Sequence, residues 1–384
     1  KRHHNIDIYE HHFAVDILTQ HHLGRLVKKS TPDITCFGAY VLNLKKHEIY
    51  TVLAKVTVMA TGGVGNIYHT TTNPSVATGD GVAMVHRAKG VIENMEFIQF
   101  HPTSLYNPGE RPSFLITEAM RGFGGLLRLQ NGKEFMQKYH PMGSLAPRDV
   151  VARSIDHELK ISGEEFVYLD ITHKDPKEVM SHFPNIYKKC LSIGIDLTKD
   201  MIPVVPAAHY CCGGIKVNLN GESSIRRLYA LGEASSTGLH GGNRLASNSM
   251  MEAAVYADAA ARHAISVIDS IELQRDIPAW DYEGTAVPEE MALITQDYKE
   301  MQQIMTNYVG IVRSDVRLER AKRRLEIIFK ETEELYLKST LSQHLCELRN
   351  MIAVGYLIIK QAEARHESVG LHYSIDYPAK PVEI

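Results

Sequence analysis

Histidine and arginine residues recur beside glycine or proline in four short motifs. They are His101 in "QFHPTSLY", Arg148 in "APRD", His209 in "AAHYCCGG" and Arg244 in "HGGNR". An arginine among glycines just before a helix suits bidentate binding of a carboxylate. A single such arginine is more often a helix cap or a partner of a neighbouring acid, as Arg148 could be of Asp149. Four residues in similar settings favour an anionic substrate.

Two adjacent cysteines follow one of these histidines. Cys211 and Cys212 could form a redox pair, bind a metal or pack as small buried side chains. Adjacent cysteines rarely form a relaxed disulfide, and one neighbouring histidine supplies too few ligands for zinc. We therefore expect packed thiols and no metal site. The five cysteines include no C-x-x-C pair, which favours a reducing compartment, the cytoplasm, over a disulfide framework.

Three glycine turns could hold a nucleotide cofactor. They are "ATGG" (60–63), "TGDG" (78–81) and "LGEA" (231–234), and each lies at a strand end or before a helix. Glycines let the backbone approach a cofactor closely, and helix N-termini attract phosphate. Each turn alone is weak evidence because ordinary turns also use glycine. No G-x-G-x-x-G follows the first strand, so the usual dinucleotide fingerprint is missing.

The elements that must position these residues change along the chain. Residues 6–58 contain short runs rich in β-branched residues, which predict strands. The segments "VTVMATGG" and "RRLYALGEAS" each predict a strand that ends in a glycine turn. Residues 98–208 mix loops, helices and prolines, a pattern typical of an inserted domain. From about residue 290 to 367, apolar residues recur at helical spacing among dense charge.

Composition limits the function classes. The chain has 384 residues, 44% of them hydrophobic, and a net charge of −3. These values are ordinary for a globular protein of two or three domains. The charge predicts no nucleic-acid partner, and no apolar run is long enough to predict a membrane span.

Several long motifs together resemble one family. They are "FHPT", "TEAMRG", "APRDVVARSIDHE", "AAHYCCGG", "LYALGEASSTGLHGGNRLASNSMMEA" and "GLHYSIDYP". The chain resembles the L-aspartate oxidase family, a branch of the succinate dehydrogenase/fumarate reductase flavoproteins, over essentially its whole length. Within that superfamily, "STGLHG" and "RLASNSMMEA" are most similar to the oxidases.

The resemblance implies residue roles position by position. The implied dicarboxylate ligands are His101, Thr117, His209 and Arg244. Arg148 corresponds to the active-site arginine that handles a proton at the substrate, with Glu118 and Arg121 as its relay partners. The implied contacts of a non-covalent FAD are Thr61, Gly62, Gly63, Asp80, Glu233, Ser249 and Met250.

The implied fold is an α/β flavin-binding (Rossmann-like) domain, incomplete at its N-terminus, with an inserted α+β capping domain and a C-terminal helical bundle. The two parts of the FAD-binding domain would be residues 1–97 and 209–270. The capping domain would be 98–208 and the helical domain 271–384.

Two departures from the family pattern affect these expectations. The family's "RGEG" reads "RGFG" here, so Phe123 replaces an acid and we expect the local charge network to differ. The N-terminal dinucleotide-binding segment is missing from the sequence as given. We therefore expect a fragment in which FAD is absent or weakly bound and which is inactive alone.

The implied activity is FAD-dependent oxidation of L-aspartate to iminoaspartate, with oxygen or fumarate as electron acceptor. This is the first step of quinolinate and NAD biosynthesis, with quinolinate synthase as a candidate partner. The alternative enzyme is a soluble fumarate reductase or succinate dehydrogenase flavoprotein. A non-enzymatic alternative is that the C-terminal helices dock a redox or pathway partner, although their charged faces are more typical of a solvated surface.

Overall fold

The computed structural model describes residues 3–287 and 291–378. The strands are His12–Leu18 (β1), Gly38–Asn43 (β2), Glu48–Leu53 (β3), Thr57–Met59 (β4), Ile92–Glu93 (β5), Ile98–Leu105 (β6), Leu126–Arg128 (β7), Val167–Asp170 (β8), Ile202–Cys211 (β9), Gly214–Lys216 (β10), Leu228–Ala230 (β11) and Ser235–Ser236 (β12). The α-helices are Asp80–Arg87 (α1), Glu118–Gly122 (α2), Arg148–Ser162 (α3), Pro176–His182 (α4), Pro184–Leu191 (α5), Asn248–Val267 (α6), Met291–Tyr308 (α7), Asp315–Lys338 (α8) and Gln343–Ala364 (α9).

The first three strands form an antiparallel sheet in the order β1-β2-β3. Buried and less buried side chains alternate along β2, as expected of a strand with one face on a core. Phe13, Val15, Ile17, Tyr40 and Leu42 supply that face. The strands predicted in this stretch are therefore present.

Two short parallel strands bring glycine turns together. β4 pairs with β11 in parallel, with Val58 opposite Tyr229. Both turns follow the carboxyl ends of their strands, so "ATGG" and "LGEA" meet at one edge although about 170 residues separate them. A second small sheet has the order β12-β10-β5.

A four-stranded antiparallel sheet of order β6-β9-β8-β7 forms the next layer. It packs with helices α2 to α5 around its own apolar core, which includes Ile116, Leu127, Val151, Leu169 and Ile202. β6 and β9 connect this layer to the rest of the molecule. Ile98 and Cys211 at one end of the pair lie in the larger core, while Leu105 and Val204 at the other end lie in the smaller one.

Helices α7, α8 and α9 pack onto the larger core. Ser314 and Ser342 cap the starts of α8 and α9 by accepting hydrogen bonds from backbone amides. α9 is buried around most of its circumference and contacts α1, α7 and α8. The predicted helical region is thus present, and its apolar faces share one core with β1–β4 and α1.

Within the described ranges, no helix combines the length and apolar character needed to cross a membrane.

Candidate active site

His101 and His209 lie on the paired strands β6 and β9, with ring centroids 5.5 Å apart. The Thr103 amide donates to Nδ1 of His101 at 3.3 Å, and the Thr103 carbonyl lies 3.2 Å from the same atom. Nδ1 of His209 lies 2.7 Å from Oγ1 of Thr72. Both rings are held through Nδ1, so their Nε2 atoms are the ones available to a ligand.

Burial keeps the two histidines neutral at physiological pH. Burial, reinforced by His209, Arg148 and Arg121, lowers the pKa of His101 to about 2. Burial, reinforced by Arg244 and Arg148, lowers the pKa of His209 to about 4. The rings are therefore hydrogen-bonding groups, and the positive charge around them comes from the arginines.

These pKa shifts predict how stability depends on pH. The pKa of His101 is lower in the folded chain than its ordinary 6.5, so the unfolded chain binds more protons in the window between. The free energy of unfolding is therefore not reduced by His101 above pH 6.5, and it falls as the pH drops from 6.5 toward the folded-state pKa of about 2. We expect His101→Gln to flatten this decline, and the exposed His4→Gln to leave it unchanged. Urea unfolding at about pH 4.5 and pH 7.5 measures the difference; equal declines in H101Q and the unsubstituted protein would contradict it.

Arg244 lies in the loop before α6, and 7% of the residue is exposed. Its Nη2 donates to Oε1 of Gln99 at 2.8 Å, and Nε2 of Gln99 donates back to the Arg244 carbonyl at 2.8 Å. Its Nη1 donates to Oγ of Ser249 at 3.3 Å, and its Cζ lies 4.4 Å from the centroid of the Tyr210 ring. Nε is buried without a partner among the described residues. This guanidinium is fixed on several sides and has a donor left for a carboxylate.

Glu118 connects two further arginines. Its Oε2 accepts a hydrogen bond from Nε of Arg148 at 2.5 Å and also contacts Nη2 of that residue. Its Oε1 lies 3.7 Å from Nη2 of Arg121. The Arg121 side chain is 1% exposed, whereas that of Glu118 is 46% exposed. Of the three linked side chains, Arg148, Glu118 and Arg121, that of Glu118 is therefore the most exposed to solvent.

Thr117 caps the start of α2. Its Oγ1 accepts a hydrogen bond from the Ala119 amide at 3.3 Å, so the hydroxyl hydrogen can point to a ligand. Phe123 lies at the other end of this short helix, with its ring centroid 4.7 Å from that of His182 and 5.5 Å from that of Phe183. The residue that replaces the family's acid thus has a packing role between α2 and α4–α5.

The glycine turns at β4 and β11 form a close contact. A Cβ added to Gly63 would lie 2.3 Å from Oε1 of Glu233, and one added to Gly81 would lie 2.4 Å from Oγ1 of Thr61. The Thr61 hydroxyl is buried without a partner among the described residues. Burial raises the pKa of Glu233 to about 7, and the amide of Cys211 donates to its Oε1 at 3.0 Å. Together with Gly62 at φ +73°, these groups fit the polar parts of a flavin cofactor.

Gly63→Ala tests this contact. The new methyl would push Glu233 away from the Cys211 amide, so we expect protein that also carries the N-terminal dinucleotide-binding segment to lose most of its flavin. Gly90→Ala is a matched control, because its Cβ would lie 2.4 Å from Cγ1 of Val85, away from the turns. Both substitutions should lower the melting temperature, and G63A alone should lower the flavin-to-protein absorbance ratio. Equal flavin content in the two variants would contradict the assignment.

Three other predicted flavin contacts have different surroundings. Asp80 starts α1, and its Oδ1 accepts hydrogen bonds from Oγ1 of Thr78 at 2.9 Å and Nδ2 of Asn350 at 2.7 Å. The Ser249 hydroxyl accepts a hydrogen bond from Nη1 of Arg244. The Met250 side chain lies on the surface of the first turn of α6 and the residue is 80% exposed. The flavin roles of these three residues stay predictions.

Cys211 and Cys212 are free, buried thiols, and burial raises the pKa of both. Cys211 packs in the larger core, and Cys212 packs with Phe97 and Tyr210. In residues 3–287 and 291–378, no cluster of histidine, cysteine and carboxylate side chains could hold a metal ion. The packed-thiol interpretation is the one that fits.

Sequence reasoning missed Gln99, Tyr210 and Asn350. Gln99 and Tyr210 lie in the same motifs as His101 and His209, "QFHPTSLY" and "AAHYCCGG", so their nearness in sequence was an available signal. Asn350 lies on α9, more than 260 residues from its partner Asp80. No local pattern marks such a residue.

Comparisons with known proteins identify the family of this chain. Residues 1–250 match the FAD binding domain family, and residues 298–381 match the fumarate reductase flavoprotein C-terminal family. The chain is 46% identical to L-aspartate oxidase of Pseudomonas aeruginosa over 98% of its length, covering 69% of that protein. It is 45% identical to a chloroplastic L-aspartate oxidase of Nicotiana tabacum, covering 98% of this chain and 60% of the relative.

Solved structures give the same fold. A mutant of the E. coli quinol fumarate reductase superposes with a TM-score of 0.81 at 30% identity, covering 97% of this chain and 67% of that one. Sdh1 of Mycobacterium smegmatis superposes with a TM-score of 0.77 at 30% identity, covering 96% and 62% of the two chains. The fold is that of the fumarate reductase/succinate dehydrogenase flavoproteins with a helical C-terminal region. On its sequence identity to the curated oxidases, this chain belongs to the L-aspartate oxidase family of FAD-binding flavoproteins.

Proposed function

We propose that this protein oxidises L-aspartate to iminoaspartate, the first step of quinolinate and NAD biosynthesis. Its identity of 44–47% to bacterial L-aspartate oxidases supports this activity. The observation that carries the proposal is Arg244, whose buried guanidinium has an unpartnered Nε and whose charge acts on the neutral His209, the neighbour of His101. A buried donor of this kind favours an anionic ligand, because its desolvation is otherwise uncompensated.

FAD is the redox cofactor, and when bound it supplies the acceptor for the hydride that leaves the substrate. The residues that would hold it are Thr61, Gly62, Gly63 and Glu233, with Asp80, Ser249 and Met250 as further proposed contacts. The unpartnered Thr61 hydroxyl and the Glu233 carboxyl support this assignment. A glutamate with a pKa near neutrality can donate as well as accept a hydrogen bond.

The two carboxylates of the substrate would be bound differently. Arg244 would bind one of them through its free Nε and an adjacent N–H. The Nε2 atoms of His101 and His209 and the hydroxyl of Thr117 would donate to the other. Neutral donors suit this second position, since a further buried cation beside Arg148 and Arg244 would add repulsion.

Arg148 would donate the proton when the same pocket reduces fumarate. Hydride supplied by the reduced cofactor would add to one alkene carbon, and the proton from Arg148 would add to the other. Glu118, which is bonded to Arg148 and exposed on its other side, would exchange protons with water. Arg121, whose Nη2 lies 3.7 Å from Oε1 of Glu118, would help to orient the Glu118 side chain. In aspartate oxidation a guanidinium is a poor base, so the substrate amine must lose its proton before hydride leaves.

The layer built on β6–β9 would act as a capping domain over this pocket, excluding water from the reacting groups. Two observations support that role: the layer has its own core, and it contributes Glu118 and Arg148 from the starts of α2 and α3. Oxygen or fumarate would accept the electrons. The imine product hydrolyses in water, so transfer to quinolinate synthase is the proposed next step.

Substrate preference tests the proposal. The flavin-loaded enzyme is mixed anaerobically with L-aspartate or succinate, and flavin bleaching is followed by absorbance. We expect kcat/KM for aspartate to exceed that for succinate by at least about 100-fold, because amine-assisted hydride loss is absent in succinate. The structural likeness to fumarate reductase favours the alternative activity. Faster bleaching by succinate than by aspartate would establish that alternative.

A further inference from the structure

A buried polar cluster lies behind the guanidinium of Arg244. The hydroxyl of Tyr210 lies 3.2 Å from Nε2 of His240 and 3.5 Å from Oε2 of Glu252. The same two atoms of His240 and Glu252 lie 2.8 Å apart. Oγ1 of Thr237 donates to the other Glu252 oxygen. All three of Tyr210, His240 and Glu252 are buried, so the cluster fixes the Tyr210 ring at both its hydroxyl and its edge.

The Tyr210 ring joins this cluster to Arg244. The ring faces the guanidinium, with 4.4 Å from Cζ to the ring centroid, and the His240 ring meets it edge-on at 5.3 Å and 89°. Burial, with the charge of Glu252 next, raises the pKa of Tyr210, so the phenol keeps its proton and can donate it to the cluster. A guanidinium that stacks on an aromatic ring is held in one plane.

The position of Glu252 argues for more than packing. Glu252 lies on α6 and is 3% exposed. A buried carboxylate is costly, and a well-packed apolar residue would serve stability at least as well. Tyr210 contacts both Glu252, through its hydroxyl, and the Arg244 guanidinium, through its ring, so it is the residue that connects the two.

We propose that Glu252 and His240 are positioning residues for the substrate carboxylate, which act on Arg244 through Tyr210. The inference rests on the proposed role of Arg244 as a carboxylate ligand. Gln99 holds one nitrogen of the guanidinium and the Tyr210 ring holds its plane. Once both are fixed, the free Nε has a defined direction, and the carboxylate binds without reordering the arginine.

A double-mutant cycle tests this chain of contacts. Malonate is titrated into the flavin-loaded enzyme, and its dissociation constant is read from the flavin absorbance. We expect Glu252→Gln to weaken malonate binding about tenfold, and Tyr210→Leu to weaken it about tenfold or more. In the Y210L background, E252Q should have no further effect. In E252Q and in Y210L, kcat at saturating aspartate should stay within about threefold of the value for the unsubstituted enzyme, since neither substitution touches the reacting atoms.

Asp258→Asn is the matched control, because Asp258 lies on the exposed face of the same helix with an exposed partner, Arg262. It should leave malonate binding unchanged. Additive effects of E252Q and Y210L would overturn the inference, and so would an E252Q variant that binds malonate normally. If E252Q fails to fold, the cycle is run with His240→Gln and Tyr210→Phe under the same two criteria. If Arg244→Ala itself leaves malonate binding intact, the carboxylate role of Arg244 is wrong.

Discussion

Arg148→Leu in the flavin-loaded enzyme should lower kcat for fumarate reduction by about 10²–10⁴-fold, the range contributed by a positioned general acid. Binding of fumarate should weaken far less, because a proton donor acts mainly in the transition state. The side chain is well placed for this role: it starts α3, and Glu118 holds its Nε at 2.5 Å. Glu118 is 46% exposed, so loss of its partner leaves a solvated carboxylate and the fold should survive.

Stopped-flow oxidation of the reduced enzyme by fumarate measures kcat, and the saturation curve gives the apparent dissociation constant. Arg148→Lys keeps the charge but loses the planar fork, so we expect an intermediate loss of turnover. Lys160→Met, three turns further along α3 and paired with Asp156 on the surface, is the control and should behave like the unsubstituted enzyme. If R148L turns over within a few-fold of that enzyme, another group donates the proton.

Local sequence patterns were sufficient to find the glycine turns. A β-branched run that ends in glycine marks the carboxyl end of a buried strand, and this is where α/β folds place their cofactors. Both turns so identified meet through the β4–β11 pairing, where Gly63 contacts Glu233. The residues "TVM" and "LYA" carried the strand signal. His101, Arg148, His209 and Arg244 were selected because they lie in motifs that contain glycine or proline, whereas Thr117 came from the family resemblance, and the substrate roles of these residues stay predictions.

Charge state was not predictable from residue type. His101 and His209 belong to a class that is half protonated near pH 6.5, and only their burial beside arginines makes them neutral. The expected change in the local charge network at Phe123 stays a prediction. The packing of its ring against Phe183 and His182 was not predictable from the sequence either. Both properties depend on neighbours that are distant in the chain.

The elements against which helices α7–α9 pack were also not predictable from the sequence. The apolar spacing of α7–α9 predicts amphipathic helices but does not say what covers them. Gly355 of α9 lies against Met301 of α7, and Asn350 of the same helix bonds to Asp80 at the start of α1. A helical region that looks separate in sequence therefore holds Asp80, one of the proposed flavin contacts.

Arg244 is the second position at which we expect a substitution to have a large effect on ligand binding, and the reason lies in its environment. Its guanidinium is nearly enclosed, bonded to Gln99 and stacked on Tyr210. Burial lowers its pKa, but an arginine remains charged at any physiological pH. A buried cation whose Nε lacks a partner gains a full charge-assisted pair when a carboxylate arrives. A monocarboxylate such as alanine leaves either this donor or the histidine donors unpaired.

Arg244→Ala should therefore weaken malonate binding to the flavin-loaded enzyme by about 2–5 kcal/mol, the usual cost of deleting one member of a buried charged pair. The unsubstituted enzyme should use alanine at least about 10⁴-fold less efficiently than aspartate, because a site built for two carboxylates rejects a substrate that lacks one. Arg262→Ala, which removes an exposed arginine paired with Asp258 on α6, is the control and should leave malonate binding unchanged. Malonate titration and steady-state kinetics on both amino acids give these values. Comparable kcat/KM for alanine and aspartate would mean that the pocket reads only one carboxylate, and Arg244 would then have to serve structure instead of substrate.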